Sequence, residues 1–188
     1  MRLVINQTGR FLKIFDSKDL KTVFYSAEIF RDKKKELLKV FNSADALVST
    51  IRQTNYNFWF QTNWDCEYEI NLAENNTKFI VNCIKYLKRH WTATSADNKM
   101  QLDYFGHNGH KKSIFNADTQ IAKVDKDFVH LFNRDTIYID LNNNENPLII
   151  LTFVLLFELD VDNDGSTFTP DFGSVGQDRE YDKTWKPK

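Results

Sequence analysis

The residues best spaced for chemistry run Asp160-Val161-Asp162-Asn163-Asp164-Gly165-Ser166-Thr167-Phe168-Thr169-Pro170-Asp171. Oxygen donors at loop positions 1, 3 and 5, then glycine at 6, form the first half of a calcium loop: hard carboxylate oxygens ring the cation and glycine makes the sharp turn. The candidate ligands are Asp160, Asp162, Asp164, Asp171 and the backbone carbonyl of Ser166. Asp171 stands where such loops have the longer glutamate, and Pro170, Gly173 and Gly176 oppose an exiting helix. A paired helix-loop-helix site is therefore excluded, and a lone, weak loop is left. Glu158, Asp160 and Asp162 would also crowd a helix C-terminus, where the macrodipole disfavours negative charge, and a bound cation would relieve that conflict. The competing reading is a solvated acidic turn with Gly165 left-handed, because Asp-Gly is an ordinary turn pair.

The second set of candidates is basic: Lys33-Lys34-Lys35, then Lys85, Lys88 and Arg89, then Lys111-Lys112. Brought together at one end of a fold, they would attract anionic headgroups, at about 1 kcal/mol per residue near such a surface. Left apart, they are solubilising charge. His107-Asn108-Gly109-His110 lacks the helix and carboxylate base of a helical zinc site and reads as a polar hairpin turn. His90 and His130 stand singly in strand-like runs, as structural histidines do. Cys66 and Cys83 lack metal-type spacing and read as buried free thiols. No Gly-rich phosphate loop, nucleophile elbow or paired-Cys motif occurs, so the sequence offers no catalytic residue.

The element expected to organise these residues is Pro147–Leu159, apolar on every side except Thr152 and Glu158. Asn146 followed by Pro147 is a helix start, a side-chain cap and then proline at the first helical position. Some 13 residues make a helix of about 20 Å, short of the roughly 20 apolar residues that a bilayer needs. A helix hydrophobic all round must be covered all round. Nearly everything before it is strand-like: Leu3–Asn6, Arg10–Phe15, Thr22–Phe30, Leu37–Phe41, Ala46–Gln53, Asn57–Gln61, Cys66–Leu72, Thr77–Leu87, His90–Thr94, Met100–Phe105, Lys112–Phe115, Thr119–Asp125, Phe128–Asn133 and Thr136–Leu141. Ser43–Ser49 has a helical turn as its alternative. These fourteen runs, read as roughly ten to thirteen strands at a spacing of 8–12 residues, follow the pattern of a sandwich or barrel. Closure around the helix accounts for its lack of a polar face and removes the sheet edges.

Composition agrees with one folded domain. The 188 residues carry 14% aromatics and only six Gly and three Pro, too few for a disordered or fibrous chain. Residues 160–182 hold seven acidic residues against Arg179, a charge of −6 within a chain of −1. The remainder is thus +5, too dilute over its length for nucleic-acid binding. No apolar run of 7–15 residues follows Met1, so the expected compartment is the cytoplasm and Asn75-Asn76-Thr77 is not read as a glycosylation site.

Ile121-Ala122-Lys123-Val124, Thr136-Ile137-Tyr138-Ile139-Asp140-Leu141 and Leu148–Asp160 resemble the C-terminal half of the LURP-one-related family, which groups with tubby C-terminal domains and phospholipid scramblases. The order of elements agrees along nearly all of residues 1–160. The resemblance implies a twelve-stranded antiparallel barrel around a central C-terminal helix. It also implies membrane-surface binding of the tubby kind, without placing phosphoinositide-binding residues one by one. The acidic stretch of scramblases precedes their last helix, whereas here it follows.

The expectation is therefore a mainly β domain over residues 1–160, a closed antiparallel barrel of about twelve strands around the helix at 147–159, with an acidic extension over 161–188. Its expected role is a non-catalytic binding or scaffold module that meets anionic lipid or a protein partner at a membrane surface. The alternatives are a calcium-binding protein using 160–171, and an enzyme whose site no motif reveals. Ligand, partner and oligomeric state are left open.

Overall fold

The computed structural model describes residues 1–30, 36–55, 67–85, 90–107, 111–127, 136–159 and 179–188. Twelve strands precede one helix: β1 (Arg2–Thr8), β2 (Phe11–Asp16), β3 (Asp19–Ile29), β4 (Glu36–Asn42), β5 (Leu47–Asn55), β6 (Glu67–Leu72), β7 (Thr77–Lys85), β8 (His90–Ser95), β9 (Gln101–Gly106), β10 (Lys112–Asn116), β11 (Thr119–Asp127), β12 (Thr136–Leu141) and α1 (Pro147–Leu159). Each strand pairs antiparallel with its neighbours in sequence. β1 closes the ring by pairing with β12, Leu3 facing Ile139 on one side and Asp16 on the other.

Alternation along the strands decides which side chains enter the lumen. Leu3 and Ile5, Leu12 and Ile14, Leu38 and Val40, Ile70 and Leu72, Phe79 and Val81, and Ile137 and Ile139 are each at most 4% exposed and join α1 in one apolar cluster. The outer face alternates with them: Phe24 is 37% exposed beside half-buried Tyr25.

A ring of twelve strands encloses more space than its own side chains fill, and the helix occupies it. Ile150 through Leu156 span nearly two turns, and every one of the seven is at most 3% exposed. No face of that stretch meets water. The cap is as expected, with the Asn146 Oδ1 accepting from the Leu148 N–H at 2.9 Å. Tyr104 of β9 meets Phe153 edge-on at 5.8 Å between ring centroids.

The meander sorts its connections between two rims. The near rim holds β2–β3, β4–β5, β6–β7, β8–β9, β10–β11 and the turn into α1; the far rim holds the other six. Near-rim turns are tight, and Asp45, Asn76, Asn98 and Ala117 adopt positive φ there. Ser43–Asp45 is such a turn, not a helical one, because the Asn42 carboxamide oxygen accepts from the Ala44 and Ala46 N–H groups, each at 3.0 Å. The expected strands at Asn57–Gln61 and Phe128–Asn133 lie outside the described residues.

Candidate functional site

The three basic clusters fall in connections that share the far rim. Lys33, Lys34 and Lys35 lie between β3 and β4, Lys85 ends β7 with Lys88 and Arg89 following it, and Lys111 immediately precedes Lys112, which opens β10. Lys33–Lys35, Lys88 and Arg89 are outside the described residues. Their flanking strand ends, Ile29, Glu36, Lys85 and His90, nevertheless stand on one rim, because connections of an antiparallel meander alternate between ends. The six far-rim connections contain nine Lys or Arg and three Asp, a charge of +6. The near-rim connections contain Lys18 and Lys99 against Asp45, Glu74, Asp97, Asp118 and Glu145, a charge of −3. By this sequence count the far-rim connections are the more basic set, before the acidic residues that follow α1 are added.

Two exposed apolar side chains sit at the basic rim, Phe11 at 52% and Ile84 at 49%. Arg10 lies over the Phe11 ring, 5.1 Å from its centroid, and pairs with Glu28 at 3.3 Å. Leu20 and Leu47 are similarly exposed at the other rim, so apolar exposure alone does not distinguish the ends; charge does.

The calcium-loop residues Asp160, Asp162, Asp164, Ser166 and Asp171 lie outside the described residues, as do His110, His130 and Cys66. Among the described residues no three His, Cys, Asp or Glu side chains converge as a metal set would. Cys83 is half-buried, packed against the core's edge where full burial was expected. His90 is structural: its Nε2 is 3.0 Å from the Asp103 Oδ1, and its ring stacks on Phe105 at 4.3 Å.

His107 differs from the solvent-facing hairpin residue that its polar neighbours suggest. Its N–H does close the β9–β10 connection on the Lys111 carbonyl at 2.7 Å. The side chain, however, is 2% exposed, with Nε2 2.7 Å from the hydroxyl of Ser113, itself 1% exposed. Tyr181 covers the pair, its ring 5.1 Å from that of His107 and 5.6 Å from the Lys111 Nζ. Burial, and then the nearby Asp125, Asp140 and Asp182, push the Tyr181 hydroxyl's pKa up.

Tyr181 belongs to a strap, residues 179–188, that crosses the outer wall. Arg179 lies 4.0 Å from the Phe115 centroid and 5.6 Å from that of Phe105, and its Nη2 reaches the Asp118 Oδ1 at 3.0 Å. At the other end the Lys188 N–H donates to the Asn142 Oδ1 at 2.8 Å, and the Asn143 N–H to the Lys188 carbonyl at 2.9 Å.

A cleft of about 360 Å³ opens at the near rim, lined by Tyr25, Asn42, Leu47, Val48, Ala73, Glu74 and Leu148. Burial, and secondarily the Glu74 charge, raise the Tyr25 pKa. Asn42 is already engaged by its own turn, which leaves one phenol and one carboxylate: too few convergent polar groups to define a reaction. Comparison of the chain with family models, with curated proteins and with solved structures finds no match.

Proposed function

We propose that this protein is a non-catalytic binding module that presents its basic rim to anionic phospholipid headgroups. The single observation carrying this reading is the separation of charge along the barrel axis, +6 in the far-rim connections against −3 in the near-rim ones. Separation of this kind orients a protein on a negative surface, which a uniform scatter of the same lysines would not do. Phe11 and Ile84 add apolar surface at that rim, of the type that settles into a headgroup boundary. The tubby-like resemblance, with its helix-filled barrel, points to the same class of role. Asp160, Asp162, Asp164, Asp171 and Asp178 follow the helix and count against the basic charge, so the balance is measurable.

The experiment is co-sedimentation with liposomes containing phosphatidylserine or a phosphoinositide, at low and high salt. Binding is expected at low salt and should weaken steeply with added salt, because exposed charges are screened beyond about 8 Å at 0.15 M. Replacing Lys33, Lys34 and Lys35 together by Ser should reduce it; absence of pelleting at low salt, or pelleting indifferent to salt, would refute the reading.

A further inference from the structure

Phe105 and Phe115 point away from the lumen, opposite in parity to Tyr104 and Ile114, and lie outside the apolar cluster of the core. Outward phenylalanines are expected to be wet, yet both are 8% exposed. The two rings meet edge-on at 5.6 Å and 83°, with His90 stacked on Phe105, which makes an aromatic floor across β8, β9 and β10. The Arg179 guanidinium rests on that floor, and the Asp118 carboxylate, whose side chain is 99% exposed, takes its Nη2. Two residues further along, the Tyr181 ring covers His107 and Lys111.

We propose that this wall is a docking groove for a partner protein's segment presenting an arginine and, two residues later, a tyrosine, and that residues 179–181 fill it in cis as an internal stand-in. The chemistry of the ligand follows from the occupant: a planar cation for the phenylalanine faces and carboxylate, then an aromatic ring for the histidine-lysine ledge. The strap is suited to displacement because no strand pairing holds residues 179–188 to the wall. Side chains and the Lys188 backbone contacts hold it, with Trp185 half-buried between them, and a segment held without strand pairing is of the kind that opens before the core. A tethered occupant competes at an effective concentration of about millimolar, so the closed chain binds foreign peptide weakly and a released chain binds it well.

The probe is a labelled, acetylated peptide with the sequence of residues 179–188, read by fluorescence anisotropy against full-length protein. Arg179→Ser with Tyr181→Ser empties the groove end of the strap without touching the groove, and the thermal transition confirms that this released variant is folded. It should bind the peptide at least about tenfold more tightly than wild type. A peptide with alanine at the arginine should lose about tenfold, and adding Asp118→Asn to the released protein should weaken binding about two- to fivefold. A second measurement uses only wild-type protein: millimolar peptide should raise amide hydrogen exchange across 179–188, and the alanine peptide should not. Equal affinity of wild-type and released protein, indifference to the arginine, or unchanged exchange would overturn the proposal. Concentration-dependent dimers of the wild type that Arg179→Ser abolishes would overturn the assignment to a partner and give the groove to a second copy of this chain.

Discussion

The hydroxyl of Thr152, on the central helix, lies 3.3 Å from the hydroxyl of Ser49 on β5, while also donating to the Leu148 carbonyl at 2.7 Å. Both residues are at most 1% exposed, so this is a polar tie between helix and wall inside an apolar lumen. Thr152→Val keeps the shape and strands the Ser49 hydroxyl, which should cost about 1–3 kcal/mol. Thr152→Val combined with Ser49→Ala removes both partners and should recover much of that loss. Denaturant melts of the single and double variants measure the coupling, and strict additivity would show that the two hydroxyls act independently.

Enclosure of the helix predicts a harsher outcome for charge. Leu151 and Val154 are both 0% exposed. Aspartate at either position buries an unpaired carboxylate beyond the reach of water, at a cost of several kcal/mol. Total stability is about 5–15 kcal/mol, so either variant should be insoluble or largely unfolded on expression. A soluble protein with an unchanged thermal midpoint would contradict the enclosed helix.

The helix was legible because its signals are local. An Asn-Pro start and an apolar run broken only by Thr152 and Glu158 mark Pro147–Leu159 without reference to anything distant. The strands were legible for the same reason: alternation such as Phe79, Val81 and Cys83 against Lys78 and Asn82 is written in neighbouring residues. What escaped depends on register and long separation. Arg179 meets Asp118 across 61 positions, and nothing near either residue announces the other. His107 looks like a turn residue because the Tyr181 that covers it comes from the far end of the chain. Glu69 follows the alternation of a solvent face in Glu67-Tyr68-Glu69-Ile70, yet it is 3% exposed.

Glu69 makes a pH prediction. Arg52 reaches its Oε1 at 2.6 Å, Asn71 donates to the same oxygen at 3.0 Å, and Lys78 takes Oε2. Burial alone would raise the carboxyl pKa; the bonds from Lys78 and Asn71 and the charges of Arg52 and Lys78 outweigh it, and the net direction is down. The folded state therefore holds this proton less tightly than the unfolded chain does. Its stabilising contribution is fully present above the ordinary value of 4.5 and is lost as pH falls through the depressed folded one. Chemical denaturation from pH 7 down into the acid range should show Glu69→Gln less pH-dependent than wild type. Identical pH slopes would show that Glu69 is not the responsible group.

Ala117 and Gly9 form a matched pair of opposite sign. Both sit in two-residue hairpin connections at positive φ, +51° for Ala117 and +59° for Gly9. A left-handed alanine carries a clash between its Cβ and the backbone of about 1–2 kcal/mol, which glycine lacks. Against this, glycine loses more freedom on folding, by about 0.5–1 kcal/mol. The difference favours Ala117→Gly by about 0.5–1 kcal/mol, or a rise of roughly 1–4 °C in the midpoint for a chain of this size. Gly9→Ala runs the same ledger backwards. No atom lies within 4 Å of the added Cβ, so conformational strain is all that it introduces. Thermal melts should therefore move up for Ala117→Gly and down by a similar amount for Gly9→Ala. Shifts of the same sign in both variants would mean that turn conformation does not govern stability at these two hairpins.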